Sequence, residues 1–354
     1  MQTAGTTLRV ISAVLFISAM VVPTPPSGAA STAPLPAGAE VVWSHAPFEM
    51  GECGLCHTSD DAADPGPVSG EVNELCFGCH VETQEAMEAA SMSHAAAVDD
   101  CTSCHNPHNS SHHKLLLAQP PELCADCHSE VWDEAIQSPV QHEAVKEGIA
   151  CLNCHGPHAT NVDHLLTALP YNLCVDCHGQ PDMSDDDGKR LTNFSELLST
   201  NPSIHGPVAA QDCSACHQPH GGETFRMLVE DYPAKFYAPF NAENYSLCFS
   251  CHNESVMAEA TTTTLTGFRD GSTNLHFVHV NKKDRGRTCR ACHEVHAAPQ
   301  DHLIRDGVPY GKGDWVLKIN YTIQANGGTC EKTCHGAKSY DRSKTIAPDT
   351  GPAE

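Results

Sequence analysis

The sequence predicts an elongated chain of five tandem modules, with few short α-helices and much irregular loop, rather than a globule closed around its own apolar core. Three observations lead there. Twenty cysteines sort into ten pairs, each closed by a histidine; the pairs recur as a two-motif repeat; and aromatic residues make up only 6% of the 354 residues. A chain this poor in large apolar side chains buries too little surface to form a core alone, so a bound apolar group must supply the interior.

Nine of the pairs read CxxCH. They are Cys53, Cys56 and His57; Cys76, Cys79 and His80; Cys101, Cys104 and His105; Cys124, Cys127 and His128; Cys151, Cys154 and His155; Cys174, Cys177 and His178; Cys213, Cys216 and His217; Cys248, Cys251 and His252; and Cys289, Cys292 and His293. The tenth, Cys330, Cys334 and His335 in CEKTCH, carries one extra spacer residue. In each motif the two thiols can add across the two vinyl groups of one haem, while the adjacent histidine offers its imidazole to the iron. Zinc knuckles, redox dithiols or a disulfide framework would account for paired cysteines. They do not account for a histidine behind every pair when the whole chain has 24. Ten motifs therefore predict ten covalently attached haem c groups, and the fold class becomes a multihaem cytochrome c wrapped around a haem array.

The N-terminus predicts export. Arg9 is the only charge before Glu40, an apolar run from Val10 to Val22 follows it, and Ser27, Gly28, Ala29 and Ala30 form a small-residue cleavage site. The run is too short for a membrane span and is closed by Pro23, Pro25 and Pro26. Residues 1–30 thus read as a signal peptide and 31–354 as one decahaem domain secreted across the inner membrane, to be periplasmic, outer-membrane associated or extracellular. Losing Arg9 takes the formal charge from −24 to −25. So acidic a surface excludes nucleic acid and anionic lipid as partners. About 324 mature residues shared among ten sites leave roughly 32 for each, which makes porphyrin the main apolar material of the interior.

Self-alignment gives five two-haem modules, about 45–80, 94–128, 142–178, 205–252 and 276–335. Each buries its apolar face against its neighbours, which favours an extended array. Ten histidines are proximal, and fourteen remain for ten distal positions. Five of these, His45, His94, His142, His205 and His279, precede the first cysteine of a module by seven to ten residues. Four more, His108, His158, His220 and His296, follow a proximal histidine by three. Recurrence at one place in successive repeats marks all nine as ligands. The tenth is assigned to His276, in HFVH with His279; His112 and His113 compete for it, because the first module has no histidine after CGLCH. His113, His164 and His302 precede aliphatic runs, but the fourth module offers no counterpart, so they read as polar loop residues. Met50, Met87 and Met92 do not recur. Bis-histidine iron would give low potentials and leave no open position.

Between motifs, VETQEAMEAASM after His80 and SEVWDEAIQ after His128 have helical spacing. Alternation at Leu317, Ile319, Tyr321 and Ile323 predicts one strand from Trp315 to Ile323 lying on a haem. The run PDMSDDDGKR from Pro181 fails the EF-hand pattern, since Met183 stands at the first liganding place, and reads as a solvated acidic linker. Ala260 to Gly271, with its TTTT, reads as a surface insert.

The repeat CTSCHNPH…LLLAQPPELCADCH resembles the doubled-CxxCH family of multihaem c-type cytochromes over nearly the whole mature chain. With ten motifs and a signal sequence, the chain is similar to the periplasmic decahaem subunits of metal-reducing and dimethyl-sulfoxide-reducing outer-membrane conduits. That resemblance implies electron transport through a near-linear bis-histidine wire in anaerobic, extracellular respiration, with redox proteins, an outer-membrane porin and another multihaem cytochrome as partners. The missing histidine of the first module and the CEKTCH motif depart from the pattern. Two other readings stand beside the electron carrier. One is a subunit of an extracellular cytochrome filament, with His112 or His113 reaching a neighbour. The other is a multihaem reductase, which needs one open iron, whereas all ten motifs end in histidine.

Overall fold

The computed structural model describes residues 43–146, 148–185, 188–310, 315–331 and 334–345. The signal-peptide reading therefore lies outside the described residues. Among those residues no helix exceeds nine residues, the strands run from two to four, and every strand pairing is antiparallel. No helix among them is long and apolar enough to cross a membrane.

Chemistry at the motifs explains the shortness. In nearly every CxxCH the histidine N–H donates to the carbonyl of the first cysteine four residues back, at 2.8 Å for His57 and His252 and 3.1 Å for His105 and His217. One helical turn is thus the unit of structure, and it puts both thiols and the imidazole on the same side. The two helices with clear periodicity form where expected. Ser129–Gln137 matches SEVWDEAIQ residue for residue, and Val81–Ala89 stops three residues short of VETQEAMEAASM, where Ala90 turns extended.

Tiny ladders lock one repeat to the next. Trp43–Ser44 pairs with Asn109–Ser110, Met92–Ser93 with Ala159–Thr160, Val140–Gln141 with Gly221–Gly222, and Ser203–Ile204 with Ala297–Ala298. Each ladder joins the residues just before a leading histidine to those just after a trailing histidine of the following repeat. The backbone continues the lock, with His45 N donating to His108 O at 2.8 Å, His94 N to His158 O at 2.8 Å and His205 N to His296 O at 3.0 Å.

Fully buried apolar side chains are few, chiefly small ones such as Ala135, Ala150, Ala297 and Ala298, with Tyr232, Tyr245 and Tyr340 toward the C-terminal end. Phe48, Leu55, Val68 and Val131 instead face one continuous cavity of about 4950 Å³. That volume is several times the roughly 300–1,000 Å³ that holds a single ligand. The interior of this fold is a long gallery.

The C-terminal segment departs from the sequence reading. Val316–Lys318 pairs with Gly307–Pro309, whereas Tyr321–Gln324 pairs with Gly327–Cys330, which in turn pairs with Lys338–Asp341. Two partners in different sheets cannot share one straight strand, so the single strand expected from Trp315 to Ile323 breaks at Ile319 and Asn320. Trp315 and Ile323 remain 56% and 45% exposed. The acidic run near Pro181 closes as a turn: Ser184 bridges Arg190, Leu191 N donates to Met183 O, and Gly188 takes φ +73. Asp186 and Asp187 lie outside the described residues.

Candidate functional site

The fold brings the histidines together as ten pairs, each made of one motif histidine and one other, and nine of the pairs line the gallery. His45 faces His80, His94 faces His128, His142 faces His178, His205 faces His252 and His279 faces His335. His57 faces His108, His105 faces His158, His155 faces His220, His217 faces His296 and His293 faces His276. Ring centroids lie 6.0–6.5 Å apart with planes 11–37° from parallel. Two imidazoles bound to one metal ion at about 2 Å each, with ring centres about 1 Å behind the nitrogens, give about 6 Å between centres. The residues present therefore fit an iron with two axial imidazoles at every pair, with a cysteine pair beside it.

The pairing has a rule. A leading histidine faces the second motif of its own repeat, while a trailing histidine faces the first motif of the repeat before it. This places His108 against His57 and removes the difficulty of the first repeat, which has no earlier repeat to serve. The last repeat has no later one to serve it, and there His276 stands in. His276 and His279 lie three apart on the helix Leu275–Val280, so both project from one face toward different motifs. Buried Asn274 caps that helix by accepting from His276 N and Phe277 N, and its own amide donates to Val256 O and Glu259 O. Phe268 stacks on His279 at 5.6 Å and meets His276 edge-on at 5.2 Å. The insert holding Phe268, read from sequence as surface, is part of this support. His112 accepts from the Gln119 amide and His113 meets Trp43 edge-on at 4.8 Å; neither faces a motif histidine.

A second layer of contacts fixes the rings, and sequence reading missed it. The Nδ1 of a motif histidine approaches the carbonyl nine residues on: His57 to Gly66 at 2.8 Å, His105 to Lys114 at 2.8 Å, His155 to His164 at 2.8 Å, His217 to Arg226 at 3.1 Å and His293 to His302 at 2.7 Å. Donation from Nδ1–H leaves Nε2 with its lone pair free toward the gallery. The acceptor residues are left-handed, with φ of 71° at Gly66, 62° at Lys114 and 59° at His164, Arg226 and His302. In the four non-glycine cases the next residue, Leu115, Leu165, Met227 or Leu303, is left-handed too. Each such non-glycine residue costs about 1–2 kcal/mol, strain that marks a constrained site. The register corrects the sequence alignment: Lys114, not His113, matches His164 and His302, and the fourth repeat's counterpart is Arg226. The constant spacing of nine was the available signal. On the other side, His45 and His142 Nδ1 sit 2.8 Å from the carbonyls of Pro107 and Pro219.

Electrostatics suits neutral imidazole. Burial pushes His276 down to about 4, with His293 adding to it, and burial with Arg290 and Arg226 does the same for His296. Burial also lowers His158, His178, His205, His217, His220, His279 and His293. A neutral ring is the form that ligates.

The sulfur atoms set the order of the sites. Cys76 lies beside Cys101, Cys124 beside Cys151, Cys174 beside Cys213 and Cys248 beside Cys289, so the second motif of each repeat adjoins the first motif of the next. Within repeats Cys76 feels Cys56, Cys104 feels Cys127, Cys154 feels Cys177, Cys216 feels Cys248 and Cys292 feels Cys334. Every motif thus neighbours the motifs before and after it. No cysteine is in a disulfide, and no group of three or more metal-binding side chains gathers among the described residues as a zinc site would require.

Comparison with known families adds one finding. A doubled CXXCH motif family matches residues 45–85, 94–131, 142–183 and 205–257. No curated protein matches the chain.

Proposed function

We propose that this chain, which belongs through those four stretches to the doubled CXXCH motif family of multihaem c-type cytochromes with covalently bound haem c, is a ten-site electron wire that runs in sequence order. The observation that carries the proposal is the set of ten facing histidine pairs in unbroken succession from His57–His108 to His279–His335. Haem bound at each pair would supply a reversible one-electron couple. The chain's own residues do the rest. Twenty cysteines attach, twenty histidines ligate, and left-handed carbonyls fix five of the proximal rings. Because the trailing histidines cross between repeats, the same groups that complete the iron coordination also tie five modules into one rod.

Every motif is matched by a second imidazole within the chain, so no iron is left open for nitrite, hydroxylamine or another substrate. That favours a carrier over a reductase. It also favours a conduit-type wire, secreted and handing electrons to other redox proteins at its ends, over a filament in which neighbours ligate one another. Intact-mass measurement of the mature protein tests the reading: the mass should exceed the processed polypeptide by ten haem masses, and all iron should be low-spin in both redox states. Eight or fewer haems, or a high-spin site that takes up cyanide, refutes it.

A further inference from the structure

Charge is distributed along this chain with a sharp polarity. Residues 31–200 carry 27 acidic side chains against four basic ones, a net of −23, whereas residues 201–354 carry 17 against 15, a net of −2. Since the motifs succeed one another in space as in sequence, this is a polarity along the array. Around the first site Glu49, Glu52, Asp60, Asp61, Asp64, Glu71 and Glu74 are all exposed, and the first basic residue after Arg9 is Lys114. At the other end the segment Lys282, Lys283, Asp284, Arg285 and Arg287 leaves the helix that carries His279, three residues after that histidine. Its conformation is built: Lys282 N donates to Val280 O at 2.8 Å, Phe240 N donates to Lys282 O at 3.0 Å, Gly286–Arg287 pairs with Tyr237–Ala238, and the Arg285 guanidinium lies 5.0 Å over the Tyr237 ring. Lys282, Lys283 and Arg285 are exposed.

From this polarity we infer that electrons enter at the acidic N-terminal end and leave at the C-terminal end, where the exposed basic loop Lys282–Arg285 receives an acidic-faced acceptor protein. The inference rests on the wire reading and adds direction and partner chemistry to it. Adding an electron to a site surrounded by negative charge is disfavoured, and adding it beside positive charge is favoured. The reduced form is therefore least stable at the first site and most stable at the last. In each passage one electron arrives from a donor at the first site and one departs to the acceptor from the tenth, with no bond made or broken. The basic loop is an exposed cluster of positive charge beside the terminal site that draws anions in, and a local field of this kind sets encounter rates.

The test uses a charged inorganic probe in place of the unidentified acceptor. Fully reduced holoprotein is oxidised by ferricyanide, an anion, and separately by a tris-bipyridine cobalt(III) cation, over a range of ionic strength. The ferricyanide rate should fall as salt is added, because local attraction governs it. In the Lys282→Glu, Lys283→Glu, Arg285→Glu variant it should drop about tenfold at low salt and then rise with added salt, while the cobalt rate does not fall. If wild type and variant respond to salt alike, the docking face is wrong. A redox titration reads the direction: Cys330→Ala, Cys334→Ala should remove a component from the high-potential end, and Cys53→Ala, Cys56→Ala one from the low-potential end. The opposite order overturns the direction. A haem count below ten in the wild type would instead condemn the wire reading itself, so the two failures are distinguishable; the loop variant touches no motif and keeps the test open if a cysteine variant does not fold.

Discussion

Replacing Gly66 with valine should disturb one iron site through its backbone alone. Gly66 sits at φ +71, its carbonyl is 2.8 Å from His57 Nδ1, and a Cβ placed on it would lie 2.4 Å from Thr58 Oγ1. A β-branched residue in the left-handed region costs about 2 kcal/mol, and moving the peptide to relieve the Thr58 overlap weakens a hydrogen bond worth about 1 kcal/mol. The stability loss should be about 2–3 kcal/mol. The same displacement lets the His57 ring rotate and makes it a poorer donor of charge to ferric iron. If half to all of that hydrogen bond is specific to the oxidised state, one potential should rise by about 20–40 mV. Gly188→Ala is the control, since Gly188 is also left-handed at φ +73 but has open space around it and no motif histidine bonded to its carbonyl. Its cost should be about 1 kcal/mol with no change in any potential. Thermal melts and an optical redox titration measure both effects. A Gly66→Val protein that loses stability but keeps all its potentials would refute the claim that the carbonyl nine residues on tunes the iron.

His158→Met should raise one potential while leaving the fold largely intact, because thioether ligation favours ferrous iron and the Met92–Ser93 ladder to Ala159–Thr160 remains; redox titration reads it, and an unchanged profile would remove His158 from the ligand set. His220→Ala should leave His155 without its facing ring and convert one site in ten to a high-spin form that binds one equivalent of cyanide, while a wholly low-spin electron paramagnetic resonance spectrum would refute the pairing. Asp270→Asn should loosen the C-terminal strand Lys338–Asp341: the Asp270 carboxylate accepts from Asp341 N and pairs with Lys344, contacts that hold it below the ordinary carboxylate range. For a carboxylate depressed in the fold the contribution is present above its unfolded value and is lost as pH falls through the folded one, so faster hydrogen exchange of that strand should appear in wild type only below about pH 4 and in the variant at neutral pH.

Much of the site was legible because the chemistry demands fixed residue types at fixed spacing. Two thiols and an imidazole for one porphyrin leave little freedom, and the histidines at recurrent positions could be collected by counting. What counting could not supply was connectivity. His108 follows His105 by three residues, yet it faces His57 in the previous repeat, because the ladder between Trp43–Ser44 and Asn109–Ser110 draws the two segments together. That pairing is a non-local fact. The left-handed pairs were missed because Lys, His, Arg and Leu have no left-handed preference; tertiary constraint forces them, and only the constant offset of nine betrays it. The broken C-terminal strand was missed for a related reason: alternation at Leu317, Ile319, Tyr321 and Ile323 reports which faces are apolar but not that the two halves have different partners.

The donation of histidines to the preceding repeat explains features that look like irregularities when each repeat is read alone. An array in which every repeat supplies a ring to the one before it has one surplus and one deficit, at opposite ends. The first repeat needs no trailing histidine, and Asp60 stands there, three residues after His57. The last repeat lacks a donor for His293, and the helix Leu275–Val280 meets the need by carrying two histidines in place of one. At both ends, as in the middle, each motif histidine faces a second histidine of the same chain. A chain built to ligate its next copy would keep a trailing histidine in the first repeat and would have no use for His276. On the proposed reading, the charges at the two ends, acidic at one and basic at the other, would recruit partners by field rather than by coordination.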